Sequence, residues 1–224
     1  MASPVCIIVG YGPGVAHGIA QAFAAEGFQL ALLSRHPDNH RELLDGLVAG
    51  GVRAQAFATD ASQPASIQAA IALASSTLGE PEILIYNASS VRPGPLGSVS
   101  SEDVLADLEV MVGGALTAAN AVIPGMKQRG HGTIMFTGSH WGEVPNPAFA
   151  APSIGKAALH QLARLVALDL KGSGVRSVLF IIKGLVHRQT TENPKRIGEA
   201  FLNAYQQPQS PESTEILFET QPEP

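Results

Sequence analysis

A single lysine, Lys156, stands in the apolar run "AFAAPSIGKAAL". Its three ammonium hydrogens suit hydroxyls, carbonyls or anions. One helical turn earlier on the same face is Pro152, a residue that neither gives nor takes a proton. Far upstream, "GYGPGVAHGIAQAF" brings Gly10, Gly12 and Gly14 together after an apolar run. Glycines so spaced make a tight turn and let backbone N–H groups approach a diphosphate, at the positive end of a helix beginning near Gly14. A lone glycine loop is a weak signal, but three glycines after a first strand raise nucleotide binding above an ordinary turn. Arg35 in "LLSRHPD" closes the second apolar run. An acid there would hold a free ribose 2′-hydroxyl, whereas arginine suits a 2′-phosphate and can stack on adenine. NADP(H) is therefore expected in preference to NAD(H). Asp60 in "TDAS" follows the third run, suited equally to accept from an adenine amino group or to cap the next helix.

These residues need elements to carry them. Short β-branched runs lie at 5–10, 28–34, 52–58, 82–87, 132–138, 175–182 and 214–219. Between them are segments of helical period near 14–26, 38–49, 64–79, 101–129, 152–171 and 194–206. Several runs are apolar throughout, as in strands covered on both faces. The alternation predicts an α/β fold: a Rossmann-type, doubly wound, seven-stranded parallel sheet with helices on both faces. Residues 1–224 are expected to form a single dinucleotide-binding domain, with the chemistry beyond the carboxyl ends of the strands.

Composition narrows the alternatives. The chain has 224 residues, 45% hydrophobic and 15% charged, enough for a substantial core. A net charge of -5 without a basic run argues against nucleic acid as the main ligand. One cysteine, Cys6, excludes an internal disulfide framework and suits a reducing compartment. No signal peptide and no membrane span of ~20 apolar residues is read, so a cytoplasmic protein is expected. No metal site is expected.

In order along the chain, "GYGPGVA", "SR", "TDAS", "YNAS" and "SIGK" resemble the short-chain dehydrogenase/reductase family, over nearly the whole length. The resemblance implies roles. Asn87 and Ala88 would close over the adenosine ribose and steady the central strand. Ser139 would hydrogen-bond a substrate carbonyl, and Lys156 would hold the nicotinamide ribose. Gly184 and Val186 would meet the nicotinamide carboxamide. It also implies departures. The family's tyrosine acid falls at Pro152, and its helix asparagine at Met111. Lys183 replaces a proline, and the lid segment "LVHRQTTENP" is short.

Carbonyl reduction leaves charge on oxygen, and losing a positioned proton donor forfeits typically ~10²–10⁴-fold in rate. Pro152 itself is at ease in a first helical turn. Substitutes are limited. Ser139 is a donor more than an acid. His140 titrates near neutrality, but adjacent residues leaving a strand face apart. Tyr86 reads better as a core ring with its hydroxyl bonded. His17 reads as a phosphate-side or surface residue. Three functions stay open: an NADP(H)-dependent oxidoreductase acting on a small carbonyl or alcohol with a rebuilt proton route; a nucleotide-binding or regulatory relative; and a non-redox enzyme on the same scaffold. In the family it resembles, helices such as those at 101–129 and 152–171 pack between subunits, so a homodimer or homotetramer is expected, although such helices could instead simply cover the sheet.

Overall fold

The computed structural model describes residues 3–184, 186, 192–207 and 214–220. All seven expected strands form: β1 Val5–Val9, β2 Gln29–Ser34, β3 Ala54–Ala58, β4 Pro81–Tyr86, β5 Gly132–Ser139, β6 Val175–Lys183 and β7 Glu215–Glu219. They make one parallel sheet in the order β3-β2-β1-β4-β5-β6-β7. Strand order reverses between β1 and β4, so a crevice opens beyond their carboxyl ends.

The helices are α1 Val15–Ala25, α2 Arg41–Ala49, α3 Pro64–Leu78, α4 Ser101–Leu108, α5 Gly114–Arg129, α6 Ala150–Asp169 and α7 Glu192–Gln206. One face of the sheet packs Ile8, Leu30, Ile83 and Phe180 against α1, α2 and α7. The other packs Ile7, Leu33, Leu84 and Phe136 against α3, α5 and α6. This two-sided cover explains why β1 is apolar at every position, with all five residues buried. Cys6 lies in that strand, where burial pushes its thiol up, so it is an inert core residue. Helices α1 and α7 cross almost backbone to backbone: a Cβ on Gly18 would strike the Pro194 carbonyl, and one on Gly198 the Gly18 carbonyl.

One expectation needs correction. The helix at 101–129 is not uniform: α4 starts with a capping box between Ser100 and Asp103, and a π-helical turn, Glu109–Gly113, separates it from α5. The Tyr86 hydroxyl donates to the Val110 carbonyl, inside the widened turn. Gly114 makes this possible, since a Cβ there would occupy the Tyr86 oxygen's place. Ser101–Arg129 is long and apolar enough to cross a membrane by length and composition alone. Its Ala115, Ala118, Ala119, Val122 and Met126 instead join the core under the sheet.

Candidate functional site

The strand tips border a cleft of about 910 Å³. Gly10, Gly12 and Gly14 form one wall. Gly10 holds φ +84, and a side chain there would run into the backbone of Ala88, whose close approach joins the tips of β1 and β4. Asn87 ties the same tips, its N–H donating to Val9 O at 2.8 Å and its Nδ2 to Gly10 O at 3.1 Å. Gly14 caps α1 at φ +93, with no side-chain cap and no acid in the first turn. A Cβ on Gly14 would meet nothing within 4 Å, so the helix N-terminus faces open space. Unsatisfied N–H groups aimed into a cleft attract an anion.

Arg35 lines the cleft at the far end, exposed and without ion pair or hydrogen bond among the described residues. Asp60 lies opposite, and its Oδ1 accepts from the Ser62 N–H at 2.9 Å and the Ser62 hydroxyl at 2.8 Å. These bonds, with a smaller contribution from Arg35, hold its carboxyl below the usual carboxylate range. The capping alternative is not what forms: Gln63 stands at the N-cap of α3 with no side-chain cap, and Asp60 closes the preceding turn.

At the other end Lys156 is 8% exposed, and its Nζ donates to Thr137 O at 2.8 Å. Burial pulls its pKa down to about 8, and no carboxylate pairs with it among the described residues. Two ammonium hydrogens remain. The cleft therefore has a cation without a direct ion pair among the described residues at each end, Arg35 and Lys156, and a helix N-terminus between. Ser34 Oγ, Thr137 Oγ1 and Asp107 Oδ2, all on cleft-lining residues, are buried without hydrogen-bond partners. A long polyanionic ligand with hydroxyls fits this set of donors and open acceptors. Val186 lines the same wall. Gly184 does not: its φ of +111 serves a close approach to Thr220.

The expected catalytic group is only partly assembled. Pro152 sits buried in the first turn of α6, one turn before Lys156. Ser139 lies outside the cleft lining; its Oγ accepts from the Trp141 N–H at 3.3 Å, leaving its own hydrogen free to donate. His140 is outside the lining too and faces Glu143 at 3.3 Å. Trp141 stacks on Phe149, with ring centroids 4.6 Å apart. Met111 is fully buried, its methyl lying where a Gly155 side chain would be, and its sulfur 3.5 Å from Ser89 Oγ.

Sequence reasoning missed His160, four residues after Lys156 on the same face of α6. Its Nε2 accepts from the Ser139 N–H at 3.3 Å, which puts the ring hydrogen of the neutral form on Nδ1. Glycines at 138 and 142 leave room for the ring, and burial lowers its pKa. The Lys156–His160 spacing was the signal for it. Tyr86 is the bonded core ring that its sequence context favoured. His17 bonds Tyr11 through Nδ1 at 2.9 Å. The lid residues at 187–191 lie outside the described residues.

The short chain dehydrogenase family model matches residues 4–196. The chain belongs to that family. It is similar to the oxidoreductase UcpA of Salmonella typhimurium, 34% identical over 191 residues, covering 85% of this chain and 72% of that one. Among solved structures, a metagenomic short-chain oxidoreductase in complex with NADP superposes with a TM-score of 0.85 at 23% identity, over 99% of both chains. A gluconate 5-dehydrogenase from Burkholderia cenocepacia, in complex with NADP and tartrate, gives 0.75 at 25% identity, over 82% of this chain and 72% of that one. Membership places the protein among the NAD(P)-dependent oxidoreductases.

Proposed function

We propose that this family member binds NADP(H) along the cleft and acts on a small carbonyl or alcohol, with a proton route that does without a tyrosine. The observation that carries the reading is the pair of cations without direct ion pairs, Arg35 and Lys156, at opposite ends of a cleft with a bare helix N-terminus between. In it, Arg35 holds the 2′-phosphate, and the Gly10–Gly14 turn with the start of α1 holds the diphosphate. Asp60 lies at the adenine, and Asn87 and Ala88 at the ribose. Lys156 gives its two free hydrogens to the nicotinamide-side ribose, and Val186 borders the ring. The nicotinamide group supplies or takes the hydride.

On the protein side, Ser139 offers a hydroxyl that can donate to a carbonyl oxygen, on a segment held by His160. Pro152 supplies no proton, so the proton passes through Lys156 or a water it binds. An ammonium whose pKa is near 8 is well matched to proton transfer at neutral pH. The protein is further taken to be cytoplasmic, a single domain, and a homodimer or homotetramer.

A nucleotide-binding relative without turnover is the second reading, favoured by Met111 packed against Gly155 and by Ser139 outside the cleft lining. Fluorescence titration decides the first step: NADPH binds more tightly than NADH, and Arg35→Asp removes that difference. Equal affinities in the parent protein would overturn the NADP(H) assignment. Cofactor oxidation above the buffer background with any carbonyl in a panel then separates the enzyme from the binder.

A further inference from the structure

The turn Pro37–His40 carries a second group toward the adenosine end of the cleft. The His40 ring lies against the glycine loop: its Nε2 is 3.5 Å, and its Cε1 3.7 Å, from where a Gly12 side chain would begin. It meets Tyr11 edge-on at 5.9 Å. Neither ring nitrogen has a hydrogen-bond partner among the described residues, and the ring does not cap α2, which it precedes. The Tyr11 hydroxyl is engaged by His17 and is not needed by His40.

Several charges surround it, among them Glu42 in the first turn of α2, the helix that His40 precedes. Arg35 and His36 approach from the same connection and line the same cleft. Asp38 and Arg41 face each other at 3.7 Å on the exposed side of the turn. Across the cleft Asp60 is engaged by Ser62, and on α1 His17 reaches the ring only through Tyr11. No carboxylate within this group pairs with the imidazole. Its ring lines the same cleft as Arg35 and lies against the glycine loop.

We infer that His40 is a specificity-determining residue for the ribose 2′-phosphate, and that it makes the preference for the phosphorylated nucleotide grow as pH falls from 8 to 6. The inference rests on the NADP(H) reading above. A protonated imidazole attracts a phosphate dianion, while a bare 2′-hydroxyl gains little from the added charge. The phosphate loses its second charge near pH 6, which sets the lower limit.

The test is titration of NADPH and NADH at pH 6, 7 and 8, at one ionic strength, with the parent protein and with His40→Leu, His40→Gln and His36→Ala. The parent binds NADPH about five- to tenfold more tightly at pH 6 than at pH 8, the scale of one partly exposed charge pair, and NADH nearly equally. Both His40 variants lose this slope and weaken NADPH at pH 6, without changing NADH; His36→Ala keeps the slope. A slope retained in both His40 variants, a slope lost in His36→Ala instead, or equal weakening of both nucleotides overturns the inference and leaves NADP(H) binding standing. No binding of either nucleotide by the parent overturns the reading beneath it, and the inference with it.

Discussion

Replacing Lys156 with methionine, a chain of similar length without charge, asks what the buried ammonium costs the fold. Burial lowers its pKa from 10.5 to about 8. At about 1.4 kcal/mol per pH unit, keeping it charged at neutral pH costs about 3 kcal/mol. The substitution also gives up the bond to Thr137 O, worth about 1 kcal/mol. Lys156→Met should therefore stabilise the nucleotide-free protein by about 2 kcal/mol at pH 7. For a chain of this size that raises the melting temperature by about 4–8 °C. The sign of the pH dependence follows from the two proton affinities. Between about 8 and 10.5 the unfolded lysine keeps its proton while the folded one sheds it. The unfolded state binds more protons there, so parent stability rises with pH across that window. Denaturant unfolding from pH 7 to 10 reads this directly: the parent gains on the variant's lead as pH rises, and the two curves converge. Saturating NADPH reverses the order at pH 7, because the ammonium then has a partner. A methionine variant less stable than the parent at pH 7, or a gap that does not narrow by pH 10, would refute the account of a strained, unpaired cation.

Three further outcomes follow. Gly198→Ala forces a methyl into the Gly18 carbonyl and should lower stability by about 3 kcal/mol through overpacking, seen as a lower denaturant midpoint. Tyr86→Phe leaves the Val110 carbonyl without its donor and should cost about 1–2 kcal/mol, with NADPH affinity changed less than twofold. Pro152→Tyr should raise NADPH-dependent carbonyl reduction about a hundredfold; a folded, NADPH-binding variant with parent activity would show that more than the phenol is absent.

The parts of this molecule legible in the sequence are those whose cause is local. The inner strands announce themselves because two-sided burial demands an apolar run, and β1 and β2 are buried at every position, whereas the edge strands β3 and β7 are largely exposed. The glycine loop and Arg35 could be read for the same reason: a backbone turn and a strand end fix where those groups go. What escaped depends on contacts between distant residues. The π turn is set by Tyr86, 24 residues from Val110, and no helical period shows it. The α1–α7 crossing is set by two glycines 180 residues apart in sequence, Gly18 and Gly198. Ser139 was legible as a residue but not as a direction, because the 3-10 turn His140–Gly142 takes up its oxygen as a cap.

The departures around Lys156 are coupled, and this decides which experiment carries weight. Met111 fits because Gly155 has no side chain, and its sulfur sits beside Ser89. Exchanging Met111 for asparagine would leave that hollow partly empty and bury an amide among few partners, a loss of stability unconnected with catalysis. Pro152 stands free of such constraint in one respect: it lies at the third residue of α6, where the missing N–H breaks no helical bond. Activity restored at position 152 alone would mean that Ser139, Lys156 and the cleft are already placed for chemistry. Restoration only when Met111 changes as well would instead make the packing of the π-helical turn against α6 part of the proton route.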